Sequence, residues 1–564
     1  MLRRTILFFL ALASACQLPA QTVPGKFRIS GKAVNAVTGQ VLAGAEVSIS
    51  KAEQLDSVLQ KMLTNDDGSF SFEVLEPGKY LLVGQRNGFS RQSYEQHGIF
   101  SSAVVVGPGL ASDNLVFRLR PDGRIVGRVV DENQEPVPNA MIYLFRSDPG
   151  AGFKQVFQKA QVSTDDRGYY RLAHVESGRY YVVVSAQPWF GPFVQAYGNS
   201  NLSAADKAAF DVVFPIAFYP GVTDPGSASP IMLDEGQEFA ADFTLNAVPA
   251  LRLRLNHFNN SPEQPRNARL AAKVFGTEIY LPGQRETQAD ENSREIAGLA
   301  PGKYVLNIES YGSVREKHST VVNVTTDMEF DVDAAPPAPS IRGLVQKDGG
   351  LNLTPQAFVL LWNPRRNEAL EASIDDKGQF EFTPDLLAPG DYSVFVASGL
   401  NSTIGSLSAT GAQVEGQTIR VTASKPIELK IELSSSLSTI NGIARKNNEA
   451  FAGVMILLVP QTPEKNLPLF RRDQSDSDGT FTLHDVLPGR YKILAIEDGW
   501  DVEWGRYVAL QGASGPRSEH RSCTEPNLPD HSKCGMNDSS DGSHRSCRGA
   551  FANRPQYDCP APSR

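Results

Sequence analysis

Between Cys16 and Cys523 the sequence contains no cysteine. That long body must therefore hold together by packing alone. Positive charge is not in excess either: 54 Lys and Arg stand against 63 Asp and Glu, a formal net charge of −9. A nucleic-acid partner is not expected, because the basic footprint on which such binding depends is missing. No Lys/Arg cluster suits an anionic membrane surface. No stretch beyond the N-terminus is apolar for long enough to cross a bilayer as a helix, which takes roughly 20 residues. Catalytic signatures are missing as well. There is no G-x-S-x-G elbow, no G-x-x-x-x-G-K-S/T phosphate loop and no H-E-x-x-H pair. Neither an enzyme nor a cofactor is expected.

What is present begins with an export signal over residues 1–20. Arg3 and Arg4 supply positive charge, Ile6 to Leu12 form a short apolar run, and Ala13-Ser14-Ala15 and Leu18-Pro19-Ala20 offer small-residue cleavage sites. Cleavage after Ala20 is expected. The alternative is a lipid anchor at Cys16, although Ala13 stands where a lipoprotein signal usually has Leu. The expected location is the periplasm, the outer membrane surface or the extracellular space.

The whole chain of 564 residues is rich in Gly (47) and Pro (37), and after residue 20 it is dominated by a repeat. A first strand, Phe27 to Val34, is followed by Leu42-Ala43-Gly44-Ala45-Glu46-Val47. Thr64-Asn65-Asp66-Asp67-Gly68-Ser69-Phe70-Ser71-Phe72 comes next, and Leu75-Glu76-Pro77-Gly78-Lys79-Tyr80 closes the unit. The second copy runs Gly127-Arg128-Val129, Val137-Pro138-Asn139-Ala140, Thr164-Asp165-Asp166-Arg167-Gly168-Tyr169-Tyr170-Arg171-Leu172 and Ser177-Gly178-Arg179-Tyr180. A fourth copy carries Asp375-Asp376-Lys377-Gly378-Gln379-Phe380-Glu381-Phe382 and Pro389-Gly390-Asp391-Tyr392. A fifth carries Ser477-Asp478-Gly479-Thr480-Phe481-Thr482-Leu483 and Leu487-Pro488-Gly489-Arg490-Tyr491. The third keeps Leu299-Ala300-Pro301-Gly302-Lys303-Tyr304 without the Asp-Gly turn.

Strand side chains alternate faces. Phe70 with Phe72, Tyr170 with Leu172, Phe380 with Phe382 and Phe481 with Leu483 should thus face a core, and Ser71, Arg171, Glu381 and Thr482 should face water. Asp-x-x-Gly reads as a tight turn and Pro-Gly-x-Tyr as a corner whose Tyr buries its ring and bonds backbone through its hydroxyl. Short strands at regular spacing predict sandwiches. The expected fold is all-β: tandem β-sandwich modules, beads on a string. They span residues 24–120, 122–247 with an aromatic insertion, 249–333, 338–435 and 437–510, the last incomplete. Ala334-Ala335-Pro336-Pro337-Ala338-Pro339 reads as a stiff linker.

The G-x-V start, the P-x-x-A second strand, D-x-x-G-x-F/Y and P-G-x-Y together resemble the carboxypeptidase regulatory-like domain. This is a transthyretin-like (prealbumin-like) sandwich related to the B-type repeats of collagen adhesins. The resemblance implies a fold more than a function. It also implies kinship with carbohydrate-binding-like sandwiches, and so a polysaccharide as an alternative partner. A metallocarboxypeptidase partner domain would need H-x-x-E, and His97, His174, His257, His318 and His484 lack it. The Lys–Asn cross-link of collagen-adhesin repeats is not expected, because Lys32 is replaced by Arg128, Leu344 and Ile443 in other copies.

The candidate ligand-binding residues are aromatics that alternation points outward, Tyr169 and Tyr181, then Trp189, Phe190, Phe193 and Tyr197 in the insertion, with Phe218 and Tyr219 later; the leading alternative is that the insertion packs these rings on its own module. The acidic turns, above all Asp476-Ser477-Asp478-Gly479, invite comparison with calcium loops. Only Asp476 and Asp478 alternate before a Gly, and no closing Glu follows, so a hairpin turn is expected. After about residue 510 alternation stops. The tail, 511–564, holds Cys523, Cys534, Cys547 and Cys559 without a C-x-x-C pair and is expected to be disordered. The leading reading is a non-enzymatic cell-envelope or secreted protein, its modules acting as spacers and interaction surfaces for other envelope proteins.

Overall fold

A computed structural model describes residues 27–501 together with Cys534–Gly535. It omits residues 55–56, 149–154, 190–209, 259–265, 312–314, 333–340, 348–356, 364–367, 383–388, 398–402, 423–425 and 435. The expected export signal, Cys16, the expected Ala/Pro linker and nearly all of the tail lie outside the described residues.

The protein is all-β, and its sheets pair around successive hydrophobic cores. In module one, Phe27–Asn35 lies between Ser69–Leu75, antiparallel, and Leu115–Leu119, parallel. The facing sheet runs Val58–Leu63, Glu46–Lys51, Gly78–Arg86 and Phe89–Ser93, with Val104–Val106 also paired to Gly78–Arg86. The same plan recurs. Gly123–Asp131, Leu251–Asn256, Ile341–Lys347 and Ser438–Ile443 each take one antiparallel neighbour and a later parallel one. In module five the parallel neighbour is Cys534–Gly535, from the tail.

The repeated motifs are the parts of this plan. Phe70, Phe72, Tyr170, Leu172, Phe380, Phe382, Phe481 and Leu483 are buried, while Ser71, Arg171 and Glu381 are exposed and Thr482 is half-buried. Each such aromatic or large apolar side chain stabilises its module by about 2 kcal/mol through burial. The first-strand glycine has a specific reason. Gly31, Gly127, Gly343 and Gly442 pair across the sheet with Phe70, Tyr170, Phe380 and Phe481. A Cβ on Gly127 would stand 2.2 Å from the Ala241 carbonyl oxygen and 2.7 Å from the Tyr170 ring. On Gly442 it would stand 2.3 Å from the Phe481 ring.

The Tyr corner is a local hydrogen bond repeated along the chain. The hydroxyls of Tyr80, Tyr180, Tyr304 and Tyr491 donate to the carbonyls of Glu76, Glu176, Ala300 and Leu487, at 2.9, 2.8, 2.5 and 2.8 Å. Because the partner lies four residues upstream, the bond fixes the Pro-Gly corner before the strand starts. A second clamp is a buried hydroxyl just ahead of the acidic turn. Thr64 donates to Leu42 and accepts from Ala45, Thr164 does the same with Val137 and Ala140, and Ser475 with Phe451 and Val454.

Some strands are buried on both faces, because neighbouring modules cover them. Tyr143, Phe145, Tyr181, Val183 and Phe218 of module two form one cluster with Val274 and Ile279 of module three, and Phe275 packs against it. Between modules four and five, Trp362 packs with Met455, Leu457, Val459, Leu467, Phe470 and Ile496. Arg471 latches this second junction. Its guanidinium donates to the carbonyls of Asp485 (2.8 and 3.1 Å), Pro468 (2.9 Å) and Phe470 (2.8 Å), and to the Thr403 hydroxyl (2.6 Å) across the junction.

Candidate interaction surface

The acidic turns share one backbone. In each, the first residue donates its N–H to the carbonyl four residues on, and its own carbonyl accepts from the glycine. The glycines Gly68, Gly168, Gly378 and Gly479 sit at φ between 76° and 83°, where an L side chain is strained. The side chain of the first residue makes the difference. Asp165 caps its own turn, accepting from the amides of Arg167 at 3.0 Å and Tyr169 at 2.7 Å. Asp375 does the same with Lys377 at 3.0 Å and Gln379 at 2.6 Å. Asp476, at the corresponding place in module five, turns away. Its carboxylate accepts from the amide of Ala103 at 2.8 Å and pairs with the Lys79 ammonium at 2.5 Å, both in module one. Asp478 takes over the capping, accepting from the Thr480 amide at 2.9 Å and hydroxyl at 2.6 Å.

The first and fifth modules thus meet through a built polar surface. Ser477 donates its amide to the Ala103 carbonyl at 3.0 Å, and its hydroxyl accepts from the Val105 amide at 2.8 Å. The Ser102 hydroxyl donates to the Ser475 carbonyl at 2.8 Å. Gln474 donates to the Ser102 hydroxyl at 2.9 Å and the Glu95 carbonyl at 2.5 Å, and His97 Nδ1 lies 3.1 Å from its amide oxygen. With that amide nitrogen donating twice, its oxygen accepts, so Nδ1 of His97 carries a proton. Beside this network the Trp500 indole stacks on His97, ring centres 5.1 Å apart, and leans on Phe100 at 5.5 Å. Gln474, Ser475 and Ser102 are all buried. Their polar atoms are satisfied across the junction, so separating the modules without water replacing those bonds would be costly.

The neighbouring carboxyl feels this burial. The Asp473 pKa is raised, first by burial, although amide donors from Thr482 and Gln474 oppose the shift. In module one, by contrast, Asp67 is held at about 2 by hydrogen bonds from Ser69 and by Lys32.

Among the described residues, the sequence-predicted aromatics Tyr169 and Tyr181 lie on different sheets of module two. Tyr181 does sit on the face opposite Tyr180, but that face is covered. Tyr181 is 7 % exposed, and its ring centre lies 4.9 Å from that of Phe275 in module three. The expectation that it faces a ligand is corrected, because two-residue periodicity assigns a face and says nothing of a second module packing on it. Tyr169 is 53 % exposed, with the Arg128 guanidinium 5.4 Å from its ring centre, and lies on the other sheet of module two. Trp189 is 56 % exposed. Phe190, Phe193 and Tyr197 lie outside the described residues. Phe218 is buried in the module two–three cluster, and Tyr219 packs edge-on to Phe239 and Phe243. Among the described residues no group of three or more His, Cys, Asp or Glu is placed to hold a metal ion. No helix among them is long and apolar enough to cross a membrane.

The junction residues His97, Ser102, Gln474 and Trp500 were not singled out from sequence. The one signal available was the doubled acid of Asp476 and Asp478, which marks a turn able to spare one carboxylate.

Residues 28–120 and 124–206 each match the family model of the carboxypeptidase regulatory-like domain. Modules one and two are carboxypeptidase regulatory-like domains. The two carry the Gly–aromatic pair, the acidic turn and the Tyr corner described above. No curated protein matches the sequence as a relative. Solved structures similar to the chain include the TIE protein of Bacillus anthracis, at 11 % identity over 74 % of this chain and 75 % of that one, with a TM-score of 0.18. A minor pilin of Streptococcus agalactiae is 10 % identical over 39 % of this chain and 96 % of its own, with a TM-score of 0.20. The major pilin subunit of Bacillus cereus is 9 % identical over 73 % of this chain and 100 % of its own, with a TM-score of 0.14. At TM-scores of this size nothing about function passes from those proteins to this chain.

Proposed function

We propose that the chain is an exported, non-enzymatic scaffold of the cell envelope or its surroundings, divided into the five modules delimited above, that holds binding surfaces in a fixed arrangement. The observation that carries this reading is where the chain places its specialised side chains. Asp476, Gln474, Arg471, Trp362, Tyr181 and Phe275 all serve contacts between modules. An elaborate set of junctions fits a protein whose task is to keep modules in register. Export is supported by the charged, then apolar, then small-residue order of the first twenty residues.

N-terminal sequencing of the protein recovered from fractionated cells tests the export part. A mature chain starting at Gln21 in the envelope or medium is expected. An intact Met1 chain confined to the cytoplasm would contradict the reading, and a blocked chain starting at Cys16 would mean the lipid-anchored form instead.

A further inference from the structure

We propose that the acidic turn of module five and its seat on module one form an exchangeable head-to-tail contact, whose second partner is another copy of this chain. The seat is the outer edge of Val104–Val106, where the amides of Ala103 and Val105 point away from their own sheet and bond to Asp476 and Ser477.

The same edge is closed locally in modules two and four, whereas in module three the corresponding strand, Arg315–Val324, is the outermost of its sheet among the described residues. In module two the corresponding strand is Ile231–Leu233, paired to Gly178–Ser185 in the same register. Pro230 stands there in the place of Ala103, so the amide that Asp476 uses has no counterpart. In module four the corresponding strand is Thr418–Val421, and Gln413–Glu415 of the same module pairs along its outer side. Module one has neither device. Its edge is completed by a turn some 370 residues away in sequence, as the Ala103–Asp476 separation of 373 shows.

The turn is specialised in the complementary way. Asp165 and Asp375 are consumed by their own turns, whereas Asp476 is free to reach outward because Asp478 caps in its stead. Seat and turn therefore fit each other, and they sit on modules with separate cores.

Two different surfaces that fit each other make a heterologous contact. Joined within one chain, they close it. Joined between chains, they leave a free turn at one end and a free seat at the other, so copies can continue head to tail. Within one chain the two parts are tethered, so their contact does not depend on concentration and a dilute chain closes on itself. Where copies are crowded, the identical bonds form between them at no loss of contacts.

The test uses two full-length variants, Lys79→Glu and Asp476→Lys. Each places like charges across the junction, within a chain and between identical chains. Mixed together, the native turn of the first variant meets the native seat of the second. Sedimentation of each variant alone should give monomers, and the equimolar mixture should give a species of twice the mass containing both chains. A mixture that sediments as monomers overturns the proposal. The milder pair Lys79→Ala and Asp476→Ala follows the same logic and is run in parallel, with circular dichroism matched to the wild type. Purified chains suffice, so the result is independent of whether the protein is exported.

Discussion

Asp165 and Asp375 close their own turns, while Asp476 spends the same carboxylate on a neighbour. Asp67, the third residue of the turn in module one, is a case of its own. Hydrogen bonds from the Ser69 hydroxyl and amide, together with Lys32, bring its pKa down from 3.8 to about 2. A carboxylate whose folded-state pKa is depressed stabilises the fold above its unfolded pKa, and that contribution is lost as pH falls toward the folded value. NMR titration of Asp67 should therefore give a midpoint near 2, with module one losing stability as pH falls from about 4 to 2. A midpoint at 3.8 would mean the cap does not form. Asp473 has the opposite sign. Burial raises its pKa, so its contribution is present at low pH and declines as pH rises through the folded value. At this scale the sequence was readable where chemistry is local. The Asp-x-x-Gly turn and the Tyr corner each bond within a few residues, so composition and spacing suffice to find them. The reason for the first-strand glycine was not readable, since it depends on an aromatic ring across the sheet and a carbonyl from a distant parallel strand, as at Gly127, Tyr170 and Ala241.

Strands show why the inward faces were legible and the outward ones were not. Alternation in Tyr169–Val175 sets Tyr170 and Leu172 inward and leaves Tyr169 wet, as expected. In Gly178–Ser185 the same alternation holds, yet Tyr180 through Ser185 are all buried, because module three covers the outer face. Tyr181 is therefore a junction residue. Truncating it with Tyr181→Ala removes a ring packed on Phe275 and is expected to cost about 3 kcal/mol, the range for losing a buried aromatic side chain. Differential scanning calorimetry should show modules two and three unfolding less cooperatively, and Phe275→Ala should reproduce the effect. A melting profile unchanged from the wild type would mean that the cluster does not couple the two modules.

For the whole molecule, the string of modules folds back so that its first and fifth members touch. Motif reading found the repeats and hence the fold. It could not find this closure, because the bonds join Lys79, Ser102 and Ala103 to residues more than 370 positions away, and no local pattern records such a pairing. Closure explains how an all-β chain without cysteines in its body can keep an order of modules: apolar faces join neighbours, and a polar seat joins the ends. It also completes an edge strand that would otherwise invite unspecific pairing. The most direct measurement is hydrogen–deuterium exchange at the amides of Ala103 and Val105 in the intact chain. Both should exchange slowly in the wild type and accelerate in Asp476→Ala, while the amides of the module one core stay protected. Rapid exchange at both positions in the wild type, as for an uncovered strand edge, would contradict the account.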